Sequence, residues 1–164
     1  MNYQIMPMMA EQIAGKAYVH YTAWRETYRG LMPNGYLDSR SLEQCVAFAR
    51  SHPENTAVAL ADGRVVGFCS YTPQARPFAG RPETSEVMGL YVLRAYQRYG
   101  IGRALLEAGL ARLPQREVVL FVLEGNARAI GFYRHMGFAF TGKELRQETD
   151  YGPLIELEML LRRT

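Results

Sequence analysis

Tyr96-Gln97-Arg98-Tyr99-Gly100-Ile101-Gly102-Arg103-Ala104-Leu105-Leu106 is the stretch around which the chain organises itself. Before it lies a mostly apolar run, Glu86-Val87-Met88-Gly89-Leu90-Tyr91-Val92-Leu93, which reads as a strand. After it, a helical pattern runs from about Gly100 to Leu113, and Pro114 ends it. The stretch is therefore a strand-to-helix corner. Glycines at 100 and 102 strip that corner of side chains. A phosphate could then approach the unpaired N–H groups of the first helical turn, drawn by the positive end of the helix dipole. Arg98 and Arg103 would add charge-assisted bonds. The same two glycines would equally serve a tight turn with close packing. Arg94, Arg98 and Arg103 come with no acid between them, a local charge of +3 that matches the net charge of the whole chain. That concentration favours an anionic ligand. Two other phosphate motifs fail: a dinucleotide fingerprint needs a small residue at 105, which is Leu, and neither Gly-Lys pair is followed by Ser or Thr, since Gly142-Lys143 runs into Glu144 and Gly15-Lys16 into Ala17.

Outward from the corner, the N-terminal half starts with a short strand at Asn2 to Met6. Ile13, Ala17, Tyr21, Trp24 and Tyr28 recur at helical spacing, predicting a helix from about Met9 to Tyr28 that Gly30 and Pro33-Asn34-Gly35 stop. Ser41-Leu42-Glu43-Gln44 is a capping box opening a second helix. Ala57 to Leu60 and Val65 to Tyr71 are strands joined by an Asp62-Gly63 hairpin turn. Pro73 to Pro82 is a polar loop. On the C-terminal side, Glu117 to Leu123 is continuous and β-branched, as in a strand covered on both faces. Asn126 to Met136 is a helix with Asn126 as N-cap and Gly137 at C′. Phe138 to Leu145 and Leu154 to Leu161 form a closing strand pair. The order β-α-α-β-β-β-α-β-α-β-β gives a mixed α+β class around one central sheet.

The 164 residues fit a single domain, 1–164, with 48% hydrophobic and 21% charged residues, an ordinary globular composition. No apolar run approaches the roughly 18 residues of a membrane span, and the first residues lack the pattern of a secretion signal, so a cytoplasmic protein without membrane contact is expected. Cys45 and Cys69 form no CxxC pair, and Cys69 reads as a small core residue. His20, His52 and His135 lack metal-ligand spacing, and no metal is expected. The balanced charge lacks the broad basic face that nucleic-acid binding requires.

Three blocks taken together are more specific than the corner alone: Glu86 with Leu90-Tyr91-Val92; Gln97-Arg98-Tyr99-Gly100-Ile101-Gly102; and Asn126-x-x-Ala129-x-x-Phe132-Tyr133-x-x-x-Gly137-Phe138. Their pattern resembles the GCN5-related N-acetyltransferase (GNAT) family, over about residues 83 to 140 and, by element order, over nearly the whole chain. The middle block matches the family's Gln/Arg-x-x-Gly-x-Gly/Ala loop at every specified position. Arg94 departs from it, standing where many members have Pro. The resemblance implies a twisted, mostly antiparallel sheet of about seven strands flanked by about four helices. It also implies acetyl-CoA as co-substrate. Backbone groups of Leu90, Tyr91 and Val92 would pair with the pantetheine arm, and the segment Gln97, Arg98, Tyr99, Gly100, Ile101, Gly102 and Arg103 would hold the pyrophosphate. Asn126 would touch the pantetheine as well as cap its helix.

The function this implies is transfer of an acetyl group to a primary amine by direct attack in a ternary complex. An alkylamine with a pKa near 10.4 must lose a proton before it can attack, and the departing thiolate must gain one. The resemblance places Tyr133 as acid and Glu86, through water, as base, with Glu83 a weaker substitute. The ordinary readings are a core tyrosine and a glutamate at a strand start. The carbonyl donor would be the N–H of Leu90 or a near neighbour. Trp24, Tyr28, Tyr36 and the Pro73–Pro82 loop are candidate walls for a small-molecule or peptide acceptor. Nearby acids such as Glu83 and Glu86 would attract a cationic amine, which fits an amino acid, polyamine, peptide N-terminus, lysine or aminoglycoside alike. Relatives commonly form homodimers. The alternative is an acyl-CoA-binding or adaptor protein on the same fold without turnover.

Overall fold

A computed structural model describes all 164 residues. The strands are β1 (Gln4–Pro7), β2 (Thr56–Ala61), β3 (Arg64–Thr72), β4 (Thr84–Val92), β5 (Glu117–Leu123), β6 (Ala139–Thr149) and β7 (Gly152–Arg162). The helices are α1 (Ile13–Tyr28), α2 (Asn34–Ser39), α3 (Leu42–Ser51), α4 (Ile101–Ala111) and α5 (Ala127–His135). The α+β class, the strand order and the mostly antiparallel seven-stranded sheet are as the sequence predicts. Local chemistry accounts for many boundaries. Ser41 accepts from the Gln44 N–H at 3.1 Å and the Gln44 side chain accepts from the Ser41 N–H at 2.8 Å, so the capping box starts α3. Asp62 and Gly63, at φ of 51° and 75°, turn the β2–β3 hairpin.

Two elements differ from the sequence reading. The Pro33-Asn34-Gly35 breaker is also a start: Pro33 stands at the N-cap of α2, and Leu37, fully buried, anchors that short helix. The helices therefore number five rather than about four. The closing hairpin is also longer than expected, since β6 and β7 pair out to Thr149 and Gly152. β6 is exposed along most of its length, so it carries no apolar alternation that would mark its end.

The sheet runs β1-β2-β3-β4-β5-β7-β6. β4 and β5 are its parallel neighbours, joined through α4, and every other pair is antiparallel. Ile101, Leu105 and Leu106 of α4 enter the main core with Val66, Phe68, Val118, Leu120 and Met159. No helix is long and apolar enough to cross a membrane.

On the opposite face, Glu158 of β7 is fully buried, and Arg81 reaches it at 2.7 Å with Thr141 donating at the same distance. Burial alone would raise this carboxyl, but the bonds from Arg81 and Thr141 outweigh it and hold the carboxyl below its ordinary value of 4.5. A depressed carboxyl contributes stability above its unfolded pKa and loses it as pH falls through the folded value. Arg81→Ala should therefore destabilise the fold by about 3 kcal/mol in chemical denaturation at pH 7, because it strands a buried charge. Wild-type stability should decline only as pH drops below the ordinary carboxylate range. A loss under about 1 kcal/mol would mean that water replaces the guanidinium.

Candidate active site

The site begins where the parallel pairing fails. β4 meets β5 only at Thr84–Glu117, Ser85–Val118 and Glu86–Val119. From Val87 onward that edge of β4 has no strand beside it. On the other edge, the register against β3 shifts between Ser70 and Tyr71, which face Gly89 and Val87, so Met88 is an extra, bulged residue. The two strands part around a cavity of about 390 Å³ bounded by Val87 to Val92, Leu120 to Val122, the 97–103 corner, Asn126 and Tyr133. The Leu93 N–H donates to the Val66 carbonyl. Hydrogen-bonded and open pairs alternate along an antiparallel ladder, so Tyr91 turns its backbone to Phe68 while Leu90 and Val92 turn theirs to the cavity. The Val92 carbonyl already accepts from the Gln97 side chain at 3.0 Å. The sequence expectation narrows accordingly. Leu90 offers its N–H and C=O to the cavity and Val92 its N–H, whereas the Tyr91 backbone belongs to β3 and the Gln97 side chain braces the strand.

The corner itself is a nest of N–H groups. Arg98 and Gly100 have positive φ, 71° and 82°, and Gly100 is the N-cap of α4. None of the N–H groups of Arg98, Tyr99, Gly100, Ile101, Gly102 and Arg103 finds an acceptor in the protein, and Ala104 is the first to bond, to the Gly100 carbonyl at 3.1 Å. Successive unpartnered N–H groups at a helix start form an anion-binding concavity. A Cβ on Gly102 would meet nothing nearer than the Phe132 ring at 3.9 Å, so the corner is open rather than plugged. Arg103 pairs with Glu107 on the surface, while Arg98 has no carboxylate partner. Arg94 uses the N–H that proline would lack, donating to Glu26 Oε1 at 3.1 Å and tying the corner to α1.

Two residues of α5 face the same cavity. Asn126 Oδ1 caps the helix, accepting from the Ala129 N–H at 3.3 Å, and its amide nitrogen stays free. Tyr133 packs its ring on Phe132 and Phe138, and its hydroxyl has no partner. Burial pushes the Tyr133 phenol well above its ordinary value of 10, so it carries its proton at any working pH.

Glu86 is fully buried and bound to Arg76 of the 73–82 loop. The Arg76 backbone N–H donates to Oε1 at 3.0 Å, Nε reaches both oxygens at 3.1 Å, and Nη2 reaches Oε2 at 2.5 Å. Its charge is thus met within the protein, and Glu83 is exposed on the loop at φ 51°. The expected attraction of a cationic amine by these two acids is not what the site presents.

On the far side of β4 lies a second cavity of about 590 Å³ that shares Met88, Gly89 and Tyr91 with the first. Trp24 and Tyr36 line it, as does Arg76 from the loop, whereas Tyr28 faces the first cavity and meets the Tyr91 hydroxyl at 3.1 Å. Trp24 is 5% exposed, so the core reading and the wall reading both hold for it. Lys16, His20 and Arg40 line this second cavity too, and sequence reasoning missed all three. A lysine and a histidine four apart on a helix read as a solvated face, and only packing against α3 and β3 buries them.

Comparison with known proteins agrees with this geometry. The sequence model described as acetyltransferase (GNAT) family matches residues 15–138. An uncharacterized N-acetyltransferase of Bacillus subtilis is 33% identical over 129 residues, covering 76% of this chain and 73% of that protein. An L-methionine sulfoximine/L-methionine sulfone acetyltransferase of Pseudomonas aeruginosa is 33% identical over 103 residues, covering 61% and 59%. The fold matches that of PaiA N-acetyltransferase from Thermoplasma acidophilum, solved with coenzyme A, at a TM-score of 0.70 and 22% identity over 99% of each chain. With a splayed β4–β5 pair, an open row of N–H groups at the corner and a family match over most of its length, the chain belongs to the GNAT acetyltransferase family and is an acetyl-CoA-dependent N-acetyltransferase.

Proposed function

We propose that this protein moves the acetyl group of acetyl-CoA to a primary amine by direct attack within a ternary complex, Tyr133 serving as acid and Glu86 as base. The observation that carries the reading is the row of six unpartnered N–H groups, five of them on residues that line the same cavity as the free edge of Leu90 and the free hydroxyl of Tyr133. The diphosphate of the co-substrate belongs on that row, with Asn126 and the edge of β4 along the pantetheine arm. The Leu90 N–H, turned to the cavity, is the donor for charge developing on the carbonyl oxygen. Tyr133, neutral and desolvated, supplies the proton to the leaving sulfur.

Glu86 sits on β4 two residues before the bulged Met88. Arg76 makes four contacts to its carboxylate, through the backbone N–H, Nε to both oxygens and Nη2. A bridging water carries the amine proton to Glu86. Glu86→Gln should lower kcat about 100-fold at pH 7 while leaving acetyl-CoA affinity within a few-fold of wild type. The deficit should shrink at higher pH, where the amine sheds its proton unaided. A kcat within threefold of wild type would leave Glu86 as an anchor for Arg76 alone. The reaction itself is tested by thiol release from acetyl-CoA across a panel of amines. No release above hydrolysis with any of them would remove the enzymatic assignment of these residues.

A further inference from the structure

The charges around the 590 Å³ cavity are more than acetyl transfer requires. Lys16, His20, Arg40 and Arg76 line it, and no Asp or Glu does. Arg76 spends its charge on Glu86. Lys16 is 1% exposed and has neither a hydrogen bond nor an ion pair. Its ammonium lies 4.5 Å from the centre of the Phe68 ring and 5.0 Å from that of Phe48. Aromatic faces soften the burial of a cation but do not replace a counter-ion. Burial pushes Lys16 down to about 8, which leaves it mostly charged at neutral pH. Arg40 stacks on Trp24 at 4.3 Å from the ring centre, lies 3.3 Å from His20 Nε2 and has no carboxylate partner. His20 is pushed down to about 3, by burial first and then by Lys16 and Arg40, and its Nδ1 is buried with no partner. Two cations, the buried Lys16 and the half-buried Arg40, therefore face one cavity with no anion supplied by the chain. An uncompensated buried charge is among the costliest arrangements a fold can hold, so it marks a place where a ligand completes the balance.

The position of this cavity gives the balance a meaning. It touches the co-substrate cavity through Met88, Gly89 and Tyr91, at the bulge of β4. A molecule seated in it presents one end to the bulge and the other to Lys16 and Arg40. The middle is apolar, walled by Trp24, Phe48, Phe68 and Met88. We propose that the acceptor is a small amine that also carries an anionic oxygen group, the carboxylate of an apolar amino acid being the simplest case. Lys16 and Arg40 hold those oxygens while the amine reaches the thioester at Gly89. This rests on the transfer reading above and narrows it. Polyamines and aminoglycosides are disfavoured, because their further ammonium groups would meet Lys16 and Arg40. The same two cations lower the proton affinity of the bound amine and so favour its attacking form.

The test is a set of matched pairs. Thiol release is measured with L-methionine, L-leucine and L-phenylalanine, each against the amine left when its carboxylate is removed, with spermidine as a further acceptor. At least one amino acid should exceed its decarboxylated partner roughly 100-fold in kcat/KM, the scale expected for losing charge-assisted bonds in a buried site. In Lys16→Met the KM for that amino acid should rise roughly 30-fold, with the KM for acetyl-CoA unchanged and Tm equal or higher, because a buried charge is removed. Arg40→Gln gives the same split through a second variant, should Lys16→Met fold poorly. Equal rates within every pair, or a preference for spermidine, overturn the proposal. If no acceptor releases thiol, the transfer reading falls, and calorimetry on the CoA-bound protein decides this one separately. Binding of an amino acid that Lys16→Met abolishes upholds the anion site, and no binding of any of the three to wild type overturns it.

Discussion

Gly102→Glu removes acetyl-CoA binding and leaves the fold standing. Gly102 is the second residue of α4, inside the row of unpartnered N–H groups that runs from Arg98 to Arg103. Its φ is ordinary, and an added Cβ meets only the Phe132 ring at 3.9 Å, so the glycine is not required by the backbone or by packing. It is required by whatever comes close to the N–H groups. A glutamate in the first turn is favourable to the helix itself, since it faces the positive end of the dipole. For the same reason its carboxylate takes the phosphate's place and repels what remains of it. The expected result is a Kd for acetyl-CoA at least about 1000-fold weaker by calorimetry, with Tm unchanged or slightly raised. Gly102→Ala, which adds a methyl group and no charge, should cost no more than about tenfold. Wild-type affinity in the glutamate variant would move the diphosphate to another place and take the assignment of the corner with it.

Tyr133→Phe is expected to lower kcat by about 100- to 1000-fold while the Kd for acetyl-CoA stays within threefold. The separation follows from what the hydroxyl does in the structure, which is nothing structural. The ring packs between Phe132 and Phe138, and the oxygen has no hydrogen-bond partner. Phenylalanine keeps that packing, so Tm should hold or rise slightly. Burial raises the phenol far above neutrality, so Tyr133 adds no ionisation to the pH–rate profile below about 10. A thioester whose leaving thiol is more acidic needs less help from an acid, and the deficit of the variant should shrink with it. Equal turnover by the two proteins would remove Tyr133 as the acid. A loss of Tm by several degrees would instead make it a packing residue.

The sequence by itself determined the elements whose causes are local. The capping box at Ser41, the Asp62-Gly63 turn, the Asn126 cap and the glycine corner at 100 and 102 each depend on residues within a few positions of one another. The order of strands and helices follows from such local signals, and with it the family. The Asn126 cap and the glycine corner were legible in this way, because a motif at short spacing carries its own geometry, whereas the role of Tyr133 came from the family resemblance alone.

Only the tertiary structure decided the rest. The bulge at Met88 and the end of β4–β5 pairing at Glu86 depend on what neighbouring strands do, and they turn Leu90 toward the cavity and Tyr91 away from it. Glu86 looked free for an incoming amine until the 73–82 loop brought Arg76 onto both its oxygens. Lys16 read as wet surface until α3 and β3 packed against α1 and closed around it. Burial and charge pairing are properties of a whole packed volume, set by residues far apart along the chain, and spacing within one segment does not encode them.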